Sequence, residues 1–127
     1  MKKSILLLIL ILSPLFSFST KVTGAYAIGI FDASGNGENV QHVRKTKADY
    51  NDICYTKVFL VGKPFNIKPK VSIGKSKGIY QSSKSIYGKS RKLKIGEVML
   101  FKHYKVTNGY IKVSFKNKLF DSKVYVK

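Results

Sequence analysis

From residue 20 to the C-terminus, no run of a dozen residues sustains apolar side chains at the i, i+3, i+4 spacing of an amphipathic helix. That removes helix bundles and folds built on crossover helices. Residue types point the same way: this stretch holds 11 Val, 9 Ile and 8 Tyr against four Leu and four Ala. β-Branched and aromatic side chains suit a pleated surface, whereas Leu and Ala favour helices. An all-β fold follows, expected as a small antiparallel β-barrel or sandwich.

Strands are expected over Val22–Phe31, with Tyr26, Ile28 and Ile30 on one face, and over Ile53–Val61. Between them, Asp32–Asn39 is a loop by composition, and residues 40–52 lack a period, with a short helix or turn as one option near Lys47–Asn51. Pro64 and Pro69 bracket a short extended piece, Phe65–Ile67, and Val71–Ile73 is a further strand candidate. Gly74–Arg91 is rich in Ser, Gly and Lys and reads as a long loop with a short strand inside. It carries a seven-residue echo, Ile79-Tyr80 recurring as Ile86-Tyr87. Val98–Val106 is the next strand. Asn108-Gly109 follows it, the strongest short hairpin signal, because both central residues of a type I′ turn need positive φ. Ile111, Val113 and Phe115 then alternate with Lys112, Ser114 and Lys116, which separates an apolar face from a basic one. With a second turn at Asn117-Lys118 and alternation from Lys123 to Lys127, residues 98–126 read as a three-stranded antiparallel meander.

Before residue 20 the pattern changes. Lys2 and Lys3 precede an unbroken apolar run, Ile5–Leu12, which suits a signal-peptide core and is too short for a spanning helix. Ser17 and Ser19 place small residues for a cut before Thr20. Residues 1–19 are therefore expected to be a signal peptide, and the protein to be exported, periplasmic or secreted, with no stable transmembrane span after cleavage. A retained N-terminal anchor is the alternative. Residues 20–127 are long enough for one basic domain with one modest core.

Charge is segregated along that domain. Over residues 20–56, Lys21, Arg44, Lys45 and Lys47 balance Asp32, Glu38, Asp49 and Asp52. Residues 57–127 hold 18 Lys and Arg against only Glu97 and Asp121, a net +16. Such a field destabilises the compact state unless something anionic offsets it. Alternation makes Lys102, Lys112, Lys116, Lys123 and Lys127 candidates for one solvent face. Lys outnumbers Arg by 22 to 2, which suits charge reading better than bidentate phosphate recognition, and which solubility alone also explains. The sharper expectation is a binding face for an anionic envelope polymer or membrane surface. Its contacts are expected at Lys89, Arg91, Lys92 and Lys94 in the loop and at Lys112 and Lys116 on the hairpin. Tyr80, Tyr87 and Tyr110 would add amphipathic contact area. An acidic protein partner is the alternative, and export makes nucleic acid the poorer fit.

Catalytic chemistry is sparse. His42 and His103 are the only histidines, and Cys54 is the only cysteine. No H-x-x-x-H, H-E-x-x-H or C-x-x-C spacing occurs, so no metal site and no cofactor are expected. Cys54 lies beside the apolar run Val58–Val61 and reads as a buried small hydrophobe. It could meet a histidine base only through the fold, and Asp49 and Asp52 have no third acid near them. A binding protein is expected rather than an enzyme.

Residues 78–127 resemble the bacterial SH3-like (SH3b) domains of exported proteins. The resemblance rests on Ser82–Gly88, on Lys92-Leu93-Lys94-Ile95-Gly96-Glu97-Val98, and on Asn108-Gly109-Tyr110-Ile111-Lys112-Val113, where Tyr110 stands for the family's Trp. The chain has no Trp, and its tail lacks the family's Gly-Trp pair. The resemblance implies a small, strongly bent barrel of a kind that often binds peptidoglycan or cell-wall polymers.

Overall fold

The structure, a computed structural model, describes residues 21–64, 67–89 and 93–127. The expected leader, most of the Phe65–Ile67 piece, and Arg91 and Lys92 lie outside the described residues.

The described residues form ten strands and no helix. They are β1 (Lys21–Asp32), β2 (Gly37–Asn39), β3 (Asp52–Lys63), β4 (Lys70–Ile73), β5 (Ser76–Lys77), β6 (Ile79–Tyr87), β7 (Lys94–Val106), β8 (Gly109–Phe115), β9 (Lys118–Asp121) and β10 (Tyr125–Val126). A first antiparallel sheet has the order β2-β1-β3-β7-β6, and a second has the order β10-β8-β4-β5, with β9 pairing β8. Neither order closes on itself, so neither sheet is a closed barrel.

Alternation explains how the two sheets meet. On β3, Cys54, Thr56, Val58 and Leu60 are buried, while Ile53, Tyr55, Lys57 and Phe59 are half-exposed on the other face. On β8, Ile111, Val113 and Phe115 are buried between exposed or half-exposed neighbours. Apart from the polar Thr56, these inward side chains join Ala25, Ile30, Met99 and Phe101 from the first sheet and Val71 and Ile73 from the second in one hydrophobic core. Each fully buried Leu or Ile there contributes about 2 kcal/mol from water exclusion.

Three expectations are corrected by pairing that no local pattern encodes. Tyr26, Ile28 and Ile30 do not share a face: Tyr26 is 48% exposed and Ile30 fully buried. The β1–β3 register shifts between Ala27 and Gly29, and such a bulge turns the strand over.

The meander is also absent. Both edges of β7 are occupied, by β3 and β6, so β8 pairs instead with β4, β9 and β10. Asn108-Gly109 carries the chain from one sheet to the other. A Cβ on Gly109, at φ +138°, would lie 2.6 Å from Gly74 Cα, so close approach explains this glycine. The two-residue hairpin lies between β8 and β9, where Lys116 and Asn117 have φ of 49° and 69°, as a type I′ turn requires.

Thirdly, the expected loop over Gly74–Arg91 contains β5 and the nine-residue β6. Its polar composition hid a strand that the free edge of β7 recruits. Residues 78–127 thus feed both sheets and take β3 and β4, from the preceding chain, as ladder partners.

Candidate anion-binding face

Because Ile111 and Val113 point into the core, Lys112 and Ser114 point out of the second sheet. On β4, Val71 and Ile73 are buried, which turns Lys70 and Ser72 outward. Register then assembles the face. Ser72 lies opposite both Lys112 and Lys77, and Lys70 lies opposite Ser114. Three lysines and two hydroxyls so occupy two adjacent rows and line a shallow cleft of about 450 Å³. The Gly78 N–H donates to the Val71 carbonyl at 2.7 Å and closes one end.

No carboxylate reaches these lysines. Among the described residues the ion pairs are Lys94–Glu97 at 3.3 Å and Lys127–Asp49 at 4.0 Å. Asp121 is buried and accepts the backbone N–H of Ala27 at 3.0 Å and of Lys123 at 3.2 Å. Burial raises the Glu38 carboxyl, but the N–H groups of Lys47 and Ala48 and the Tyr50 hydroxyl outweigh it and hold the group below its ordinary value. Burial first, then Glu38, pushes the Tyr50 hydroxyl up. The Ser34 hydroxyl and the backbone around it keep half-exposed Asp32 low.

Of the residues expected from the sequence, Lys112 belongs to this face. Tyr110 lies on the same strand, edge-to-face with Tyr125 at 5.2 Å between centroids. Exposed Lys116 occupies the β8–β9 turn. Tyr80, Tyr87, Lys89 and Lys94 lie on the first sheet's edge hairpin, while Arg91 and Lys92 fall outside the described residues. Tyr87 is opposite Lys94, whose charge Glu97 compensates, and exposed Lys89 follows β6. Tyr80 packs edge-on against Phe101 at 6.0 Å and donates its hydroxyl to Ser83 at 2.9 Å. The expected single solvent face is also divided, because Lys102 belongs to the first sheet and Lys112 to the second. Sequence reasoning missed Lys70, Lys77, Ser72 and Ser114 as contacts. Lys70 and Ser72 alternate with Val71 and Ile73, a readable signal, whereas Lys77 is placed only by the two-residue β5.

Cys54 and His103 are both buried on the β3–β7 ladder. Cys54 is fully buried, and burial pushes its thiol up to about 12. His103 sits opposite it in the β3–β7 register. Its Nδ1 lies 3.3 Å from the Ser76 carbonyl and its Nε2 lies 2.8 Å from Thr56 Oγ1. A carbonyl only accepts, so Nδ1 carries the proton and the Thr56 hydroxyl donates to Nε2. Burial, opposed by the Ser76 carbonyl, draws the imidazole down to about 4. A protonated thiol beside a neutral imidazole with both nitrogens engaged is the opposite of a thiolate–imidazolium nucleophile pair. Among the described residues no three His, Cys, Asp or Glu side chains gather to hold a metal.

No protein-family model, curated protein or solved structure matches the chain.

Proposed function

We propose that this protein is an exported, basic all-β domain that binds an anionic polymer of a cell envelope or extracellular surface. The contacts are Lys70, Lys77 and Lys112, assisted by the hydroxyls of Ser72 and Ser114. The observation that carries the reading is three lysines in two adjacent rows with no carboxylate among them. Ammonium groups on flexible stems read charge density more than shape, and serine hydroxyls donate to sulfate, phosphate or carboxylate oxygens. Tyr110 and Lys116 extend the contact along β8 and its turn. Lys89 and Lys94, with Tyr80 and Tyr87, form a flanking patch on the hairpin of the other sheet. The neutral, buried settings of Cys54 and His103 support a binding protein over an enzyme.

The test is affinity for a sulfated or phosphate-bearing polysaccharide across a salt series, for the protein and for the Lys70→Gln, Lys77→Gln, Lys112→Gln triple variant. Release of bound counterions makes log affinity fall linearly with log salt, so the variant's slope is expected to be shallower by roughly two to three. An unchanged slope removes this face from the account.

A second reading, a module for an acidic protein partner, is favoured by β6. This nine-residue edge strand is largely exposed and carries one charge, Lys84. Edges of this kind recruit a partner strand. A saturable, salt-tolerant complex with a single protein, lost when Ser83 is replaced by Pro, would establish it.

A further inference from the structure

The first sheet turns its other face away from the core, and that face is apolar as well. Partners in register share a side, so one row runs Tyr26, Phe59, Val98 and a second runs Phe31, Tyr55, Lys102. Lys57 and Leu100 pair between them. At the β1 end Tyr26 and Phe59 also line a cavity of about 470 Å³ with Arg44, Phe120 and Asp121, and elsewhere glycines and aromatic rings shape the relief. A methyl group on Gly24 would meet Tyr26 Oη at 2.7 Å, one on Gly29 would meet the Phe31 ring at 3.2 Å, and one on Gly96 would meet the Phe59 ring at 2.7 Å. The rings therefore lie down across glycine positions and pave the sheet.

Every charged side chain in these rows is a lysine: Lys57, Lys102, and Lys84 opposite Val98. Two of them sit over rings. Lys57 Nζ is 5.1 Å from the Phe31 centroid, and Lys102 Nζ is 4.9 Å from Tyr104 and 5.7 Å from Tyr55. Their charges thus stand just above the aromatic layer, still available to solvent.

A second copy fits this face poorly, since face-to-face pairing would set these lysines against themselves. An uncharged apolar partner would have to desolvate them. A lamella with apolar interior and negative headgroups meets both requirements, because rings and aliphatic side chains enter the headgroup–acyl boundary while ammonium groups remain at headgroup level.

We infer that the outer face of the first sheet docks on an anionic lipid bilayer, with Tyr26, Phe59 and Leu100 as apolar contacts and Lys57, Lys84 and Lys102 as headgroup contacts. This face lies on the other side of the core from the lysine cleft, so the domain can rest on a membrane with its polymer-binding side outward.

The chain has no Trp, so one introduced indole reports unambiguously. Phe59→Trp and, as a second reporter on the same face, Tyr26→Trp are compared with Tyr110→Trp on the second sheet. Each is titrated with phosphatidylcholine vesicles with and without phosphatidylglycerol, and with brominated acyl chains as quencher. Circular dichroism checks that each variant is folded. Blue-shifted, quenched emission at residue 59 or 26, only with phosphatidylglycerol, and none at 110 is expected. Lys57→Glu with Lys102→Glu should lower vesicle partitioning at least about twenty-five-fold, at roughly fivefold per lysine. The Lys70, Lys77, Lys112 triple variant should partition unchanged. Quenching at 110 instead, quenching at none of the three, or partitioning lost in the triple variant and kept in the double would overturn the inference. Binding to soluble polysaccharide, read separately, reports on the lysine cleft alone.

Discussion

Acidifying the protein from pH ~7 to pH ~5 is expected to remove about 2 kcal/mol of stability through His103 alone. Burial draws the folded imidazole down to about 4 from an ordinary value of 6.5. Above the ordinary value both states are neutral, and the group contributes no pH dependence. As pH falls below it, the unfolded chain takes up a proton that the native state refuses, so stability declines until the folded value is reached. The steepest loss is roughly 1.2 kcal/mol per pH unit, and the full gap corresponds to about 3 kcal/mol. Asp32 and Glu38 are held below their ordinary values, so their own losses fall mostly at lower pH. Urea unfolding followed by far-UV circular dichroism at several pH values measures the profile. His103→Gln, although less stable at neutral pH, should give a nearly flat one. Parallel profiles for the two proteins, or a native His103 imidazole titrating near its ordinary value by NMR, would refute the burial argument.

Two further perturbations follow from the same structure. Gly109→Ala, which drives a Cβ into Gly74, should cost roughly 2 kcal/mol or more in urea unfolding, whereas Gly35→Ala, at φ +94° with open space around it, should cost about 1 kcal/mol. Glu38→Gln removes the charged acceptor for two backbone N–H groups and the Tyr50 hydroxyl, and should cost about 1–2 kcal/mol and speed amide exchange at Lys47 and Ala48.

What the sequence made legible was whatever is local. β1, β3, β7 and β8 stand out because their Val, Ile and Tyr alternate or cluster within one strand, and Lys112 was placed on a basic face by that alternation. β6 was hidden because Ser, Lys and Gln give no period, and it is a strand only because β7 offers an edge. Asn108-Gly109 misled for a physical reason: glycine serves a tight turn and a close backbone approach equally well, and here Gly74 decides between them. The bulge at Ile28 reverses a face without altering any residue type. Lys70 and Lys77 join Lys112 only through the β4–β8 and β4–β5 ladders, and register is a tertiary property.

The most direct test of the central claim is amide chemical-shift mapping with a short sulfated or phosphate-bearing oligosaccharide at low salt. The largest perturbations are expected at Ser72, Lys77, Lys112 and Ser114, saturating together and reversed by added salt. Perturbations confined to the β6–β7 hairpin, or scattered over every exposed lysine with no common saturation, would contradict it.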